Sequence, residues 1–409
     1  MKNKQLRRIS LLILVTMTVL CLFSCKKDPL KEEGYTYDEA NNWYVQENEE
    51  TKTITVNFTQ SETDISREYI IDAEIAHIVF IGDPFTVYQN FNIKVATRAT
   101  PLYIELQDFN YMSPTDTVAL DASGVIFTQK VYLIVNGNSS IYAGATSSGE
   151  DAENYKWNTG YKNPASGKDG ASGEEGKSAI VVNNGYIAIK ENAVFTLVGG
   201  SGGNGGNGGS GQGGASDGIG QSGNGGVGGT GGTGGVGLCV NNEISIENNG
   251  AFTIIGGNGG NGGNGGRGGE NLDTGAFDRA DHGGDGGKGG KGGNGGYAIQ
   301  VVSGAEKAQT TGNPITLVGG NGGNGGNGND GGSSCRNEFQ SGQGGNPGAA
   351  GSGGDGGDGG LATQDFSTNV NIQNGEGGKG GLKGAAGYSP NLGYGNGGKD
   401  GDAGAKFEN

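Results

Sequence analysis

Histidine is nearly absent: the 409 residues hold two, His77 and His282. His77 lies in an apolar run and reads as structural, and neither histidine belongs to an HExxH helix or to a Cys/His set with zinc spacing. No GxSxG elbow occurs, and no phosphate loop with a following Lys-Ser/Thr. The glycine tracts also lack the helix that a phosphate cradle needs behind it. These absences argue against a nucleophilic hydrolase, a metalloprotease and a nucleotide-binding enzyme, so the chain is read as a non-enzyme with no cofactor and no metal. Basic residues number 27 against 43 acidic, a formal net charge of −16, which disfavours nucleic acid as a partner. Proline is scarce as well. With 8 prolines against 92 glycines, a three-residue period cannot be collagen, which needs abundant proline and one glycine per turn.

A long apolar run occurs once, over residues 9–23, behind the basic start Lys2, Lys4, Arg7, Arg8. It is too short and too close to the start for an ordinary spanning helix and reads as a signal peptide over 1–24. Its end, Leu22-Phe23-Ser24-Cys25, resembles the lipobox of bacterial lipoproteins. That resemblance implies acylation of Cys25, a membrane partner reached through the lipid, and a place in the bacterial cell envelope, on the surface or periplasmic face of the outer membrane. Residues 25–50 are polar and acidic and read as a tether. Of the remaining cysteines, Cys239 and Cys335 are a candidate disulfide pair, with two buried free thiols as the equal alternative.

Residues 51–145 are poor in glycine and carry short β-branched and aromatic runs at 54–58, 78–81, 91–95, 102–106 and 131–135, separated by turn residues. The fold class read from them is all-β: a right-handed parallel β-helix-like solenoid, with a sandwich as the alternative.

Residues 146–409 repeat one design. A strand, a polar turn and a second strand lead into glycine, as in 186–200, 244–257 and 315–320, with a degenerate copy at 370–375. The first glycines, Gly144, Gly199, Gly256, Gly319 and Gly375, are spaced by 55, 57, 63 and 56 residues. The pattern is clearest from Gly199 to Gly237, where the chain keeps a strict triplet of two glycines and a small residue, breaks at 215–222 and resumes at 225–236, and the same out-and-back design recurs in other repeats. A flexible linker has the same composition, but it has no reason to keep an out-and-back order separated by strands. Three residues per turn is polyproline II geometry, which makes no internal hydrogen bonds and leaves every backbone group seeking a partner. Bare glycine faces allow neighbouring rods to supply it. A rod of about 15 residues would reach about 45 Å.

The Gly-Gly-Asn triplets at Asn204, Asn207, Asn258, Asn261, Asn264, Asn321, Asn324 and Asn327 resemble the polyglycine-II sandwiches of T-even phage tail-fibre tip adhesins. They are also similar to small glycine-rich antifreeze proteins and to glycine-rich repeats of mycobacterial surface proteins, and the strand units resemble pectate-lyase-type β-helices. The likeness covers residues 145–409 in composition and period. It implies an extruded polyglycine-II helix bundle, and in the phage adhesins the tips between rods bind the receptor.

Large side chains in the glycine region gather at those tips: Tyr155, Trp157 and Tyr161; Leu272 and Phe277; Arg336 and Phe339; Tyr388, Leu392 and Tyr394. Exposed rings beside Asn, Asp and Arg suit a glycan or surface-protein ligand, and they equally suit a cap that shields the bundle end. Asp285, Lys288, Lys291, Asp355, Asp358, Lys379 and Lys399 read as a solvated outer face. The run 283–287 lacks the large apolar residue that a calcium nonapeptide places two after its Asp. The expected function is adhesion or binding through the tips. The alternatives are a structural, ice- or matrix-contacting module using Thr230 and Thr233 on a flat face, and a polysaccharide-active β-helix enzyme using Glu105, Asp108, Asp116 and Asp121.

Overall fold

A computed structural model describes residues 29–39, 43–155, 164–213, 222–270, 282–302, 308–334, 346–362, 369–389 and 393–406. The described chain is all-β apart from one helical turn, α1 (Pro29–Glu32). Strands β1 (Thr36–Asp38), β2 (Trp43–Asn48), β3 (Thr53–Asn57), β4 (Asp64–Ile71), β5 (His77–Ile81), β6 (Val87–Val95), β7 (Leu102–Gln107), β8 (Asn110–Met112) and β9 (Leu120–Ala122) come first. The repeats supply β10 (Val131–Asn136), β11 (Asn138–Tyr142), β12 (Ile180–Ile189), β13 (Val194–Val198), β14 (Leu238–Asn248), β15 (Ala251–Ile255), β16 (Ile299–Val301), β17 (Ala308–Gly312), β18 (Ile315–Val318) and β19 (Val370–Gln373). These strands form one large, mostly parallel sheet system that does not close into a barrel. Such pairing differs from the antiparallel pairs of a sandwich.

The pairing resolves into three columns. The first runs β4, β6, β9, the start of β12, the start of β14 and β16. The second runs β3, β5, β7, β10, the rest of β12, the rest of β14 and β17. The third runs β8, β11, β13, β15, β18 and β19.

Parallel register places like on like, and this makes the core. Ile78, Ile104, Leu133, Ile187 and Ile246 align in the second column, and all are buried. Ile93, Leu120, Ile180, Leu238 and Ile299 align in the first. In the third, Phe195 stacks on Phe252 with ring centroids 5.1 Å apart, and Leu197, Ile254 and Leu317 follow. Burying each of these side chains contributes about 1.5–3 kcal/mol.

The start of the spine corrects the sequence reading. Residues 43–48, assigned to the tether, form β2, paired antiparallel with β1 and β3. Trp43 is 3% exposed and packs against Phe58, Tyr69 and Phe91. This aromatic cluster covers apolar side chains at the β3 end of the sheet system, which would otherwise face water.

The glycine-rich segments all leave the spine after a third-column strand, and where a first-column strand follows they return to it. Outgoing segments 144–155, 199–213, 256–270, 319–334 and 375–387 lie side by side in one layer. Returning segments 164–178, 222–237, 282–297, 346–361 and 395–406 lie in a second layer. Three kinds of hydrogen bond, one per residue of the triplet, connect them. The first glycine bonds within the layer: Gly202, Gly205 and Gly208 donate to the carbonyls of Asn258, Asn261 and Asn264, each at 2.8 Å. The second bonds between layers, as Gly229 N–H does to the Gly206 carbonyl and Gly263 N–H to the Gly229 carbonyl, both at 2.8 Å. The third residue's own N–H points outward, and a side chain of the preceding repeat meets it. Asn204 Oδ1 accepts from Asn261 N–H, and Asn261 Oδ1 accepts from Asn324 N–H, each at 2.9 Å. Asn324 Oδ1 then accepts from Lys379 N–H at 2.9 Å. The recurrent asparagine is therefore a backbone partner, which satisfies the last donor of the turn it faces.

The bundle's edges follow from the same geometry. An inner second glycine packs its Cα face on a carbonyl of the preceding repeat, as Gly226 does on Lys168 and Gly206 on Glu150. The first repeat has no such neighbour, and it carries Glu150, Lys168, Glu174 and Lys177 at the equivalent positions. In the last returning segment Asp400 and Ala403 stand where inner repeats have the first glycine. Side chains there block the addition of a further rod, much as charged edge strands block sheet growth.

Candidate binding site

The fifth tip is the best described. There β20 (Tyr388–Ser389) pairs antiparallel with β21 (Gly393–Tyr394), with Tyr388 opposite Tyr394. Gly393 has φ +79°, a conformation that costs glycine little and other residues more. Both rings stand in water, Tyr388 47% and Tyr394 77% exposed, with centroids 5.2 Å apart at 59°. Backbone bonds hold the hairpin to the bundle: Ser334 N–H donates to the Tyr388 carbonyl at 3.1 Å, and Gly387 N–H to the Gly348 carbonyl at 3.0 Å. The pair is thus a solvent-facing aromatic surface on a hydrogen-bonded frame.

Tyr155 ends the first outgoing segment and is 37% exposed. Trp157, Tyr161, Phe277, Arg336 and Phe339 lie outside the described residues, as do Cys25 and Cys335. Cys239 is a free, part-buried thiol on β14, and burial raises its pKa. Its thiolate is correspondingly disfavoured.

The four carboxylates considered for catalysis lie on β7, on β9 and in the chain between them. Glu105 lies on β7, where it accepts a bond from Gln107 Nε2 at 2.8 Å, and His77 Nε2 is 3.8 Å away. Asp108 accepts the Asn138 N–H at 2.7 Å. Asp116 accepts from Ser147 Oγ at 2.6 Å, and that bond holds its carboxyl below the ordinary range. Asp121 accepts from Ser123 Oγ at 2.6 Å. Three of the four cap turns, and they do not converge. On the bundle Asp285 acts likewise, accepting the Ala349 N–H at 2.8 Å.

One feature of the spine escaped sequence reasoning. Tyr103, Tyr132 and Tyr186 align in the second column, the first two stacked at 4.5 Å. Tyr186 donates to Glu247, which raises the phenol pKa and lowers that of the carboxyl. A tyrosine recurring just ahead of an alternating apolar run, in 102–106, 131–135 and 186–189, was the available signal. The rings of Tyr103 and Tyr132 cover each other's faces, so this is a ladder along the sheet rather than an open platform.

No family model matches the chain, and no curated protein matches it. Among solved structures, a springtail antifreeze protein from Granisotoma rainieri, described as a bundle of nine polyproline type II helices, is 23% identical over 40% of this chain and 95% of its own. Its TM-score is 0.08, too low to carry an argument about this chain. No helix among the described residues is long and apolar enough to cross a membrane.

Proposed function

We propose that this is a cell-envelope lipoprotein, anchored through Cys25 at the outer membrane, that binds a glycan or surface-protein ligand through the aromatic tips of a glycine-rod bundle. In this reading the three columns wind as a right-handed parallel β-helix, and the triplet segments are polyglycine-II rods akin to those of the phage adhesins. The observation that carries it is the Tyr388–Tyr394 pair. Two large rings held in water by a bonded hairpin are of little use to a core, and aromatic side chains dominate contact energy at interfaces. The rods give that surface reach away from the spine.

The test is a glycan array and a whole-cell binding assay comparing the chain with Tyr388→Ala/Tyr394→Ala. Loss of about tenfold or more in affinity is expected, the size of an aromatic anchor. Unchanged binding in the double variant contradicts the tip reading. The flat-face alternative is tested in parallel by Thr230→Ala, whose hydroxyl bonds Ser172 Oγ at 2.9 Å; that variant is expected to leave binding intact. For the anchor, Cys25→Ala is expected to move the protein from the detergent-extracted membrane fraction to the soluble one. Retention of the variant in the membrane fraction argues against lipidation at this residue.

A further inference from the structure

A cleft of about 340 Å³ lies at the opposite end of the bundle from the tips, where four returning segments join the spine beside β16. One wall is a straight row of side chains from successive repeats: Glu175, Thr233, Asn294 and Asp358. Backbone bonds keep the row in register, from Gly176 N–H to the Thr233 carbonyl at 2.8 Å, Gly234 N–H to that of Asn294 at 2.8 Å, and Gly295 N–H to that of Asp358 at 2.9 Å. One turn nearer the spine stands Tyr297, part-exposed, with Gln300 of β16 close beyond it.

The geometry points to this cleft as a binding site for a neutral, hydroxyl-rich oligosaccharide. Its size is that of small-ligand sites, which pair an apolar surface with a few fixed polar groups. The row offers acceptors at Glu175 and Asp358, a hydroxyl at Thr233 and a donor-acceptor amide at Asn294, and Gln300 adds a second amide. Each sugar hydroxyl both donates and accepts, so mixed groups of this kind serve it. Tyr297 supplies the ring on which the C–H face of a sugar packs. Repeats stack at strand spacing, about 4.7–4.9 Å, so Glu175 to Asp358 spans about 14 Å, enough for a short linear chain of sugars. Two carboxylates, with no lining cation among the described residues, repel uronic acids and phosphates. The residues are separate from the tips, so this site and the tip reading stand or fall independently.

The test is calorimetric titration of the full chain, in detergent, with cellohexaose, chitohexaose and mannohexaose, and with a galacturonic acid hexamer as the anionic control. At least one neutral hexasaccharide is expected to bind and the anionic one to fail. Tyr297→Ala is expected to weaken binding about tenfold or more. Asn294→Asp keeps the Oδ1 that accepts the Asp358 N–H at 3.0 Å, and so keeps the local fold, while removing the amide donor; about threefold to tenfold weakening is expected. Tyr394→Ala is expected to leave this binding unchanged. The proposal is overturned if none of the three neutral chains binds, if binding survives both cleft variants, or if Tyr394→Ala abolishes it.

Discussion

Gly263→Ala is expected to cost about 3 kcal/mol or more, whereas Asn261→Ala, two residues away, costs about 0.5–1 kcal/mol. A methyl on Gly263 would stand well inside 3.0 Å of the Gly206 carbonyl, nearer than real Cβ atoms come to any neighbour. The obstructing atoms are backbone on every side: Gly263 bonds the Gly229 carbonyl at 2.8 Å, and its own carbonyl receives Gly290 at 2.8 Å. No side chain can turn aside to make room, so at least two rods must separate and lose their shared bonds. Asn261 faces water, and its removal leaves only the Asn324 N–H to be taken over by solvent. Urea unfolding of the two variants measures the difference. Equal losses would mean that the glycines are not in close contact.

Phe109→Ala is expected to lower the stability of the spine by about 3–5 kcal/mol. Phe109 is fully buried among rings, with Phe58 at 4.8 Å, Tyr111 at 5.3 Å, Tyr88 at 5.4 Å and Phe80 stacked at 5.5 Å. The Tyr88 phenol, pushed up to about 12 by burial, donates to the Phe58 carbonyl at 2.9 Å and fixes one side of the cluster. Neighbours held in that way close a cavity poorly, which places the cost toward the upper part of the range. Phe85, 95% exposed, is the control, and its replacement by alanine is expected to change stability by less than about 0.5 kcal/mol. Thermal unfolding followed by circular dichroism reads both.

Much of this arrangement was legible in the residues. The strand-turn-strand-glycine order, with its spacing of 55 to 63 residues, foretold that rungs and glycine segments stack together, and Asn204, Asn261, Asn324 and Lys379 are indeed consecutive steps of one hydrogen-bonded line. The charged residues of the triplets face outward, as their alternation with glycine required. Besides the tyrosine ladder, three things left no readable signal. The acidity of residues 25–50 concealed Trp43, whose role depends on a surface that exists only once β3, β4 and β6 have come together. In the sequence the asparagines carry only a family likeness, because their task is to bond a backbone donor about 60 residues away and leaves no local trace. The cleft was invisible because Glu175, Thr233, Asn294 and Asp358 are each an ordinary outward residue in its own triplet; only the register of four repeats makes them a row.

The central claim is that the glycine tracts are an ordered, mutually bonded bundle. Amide hydrogen exchange over residues 199–213 and 222–237 tests it most directly. Glycines bonded between layers, such as Gly206, Gly226, Gly229 and Gly232, are expected to exchange orders of magnitude more slowly than an unstructured chain, with protection falling toward the tips. Complete exchange of both peptides at the earliest time point would contradict the account and leave a β spine carrying flexible glycine loops.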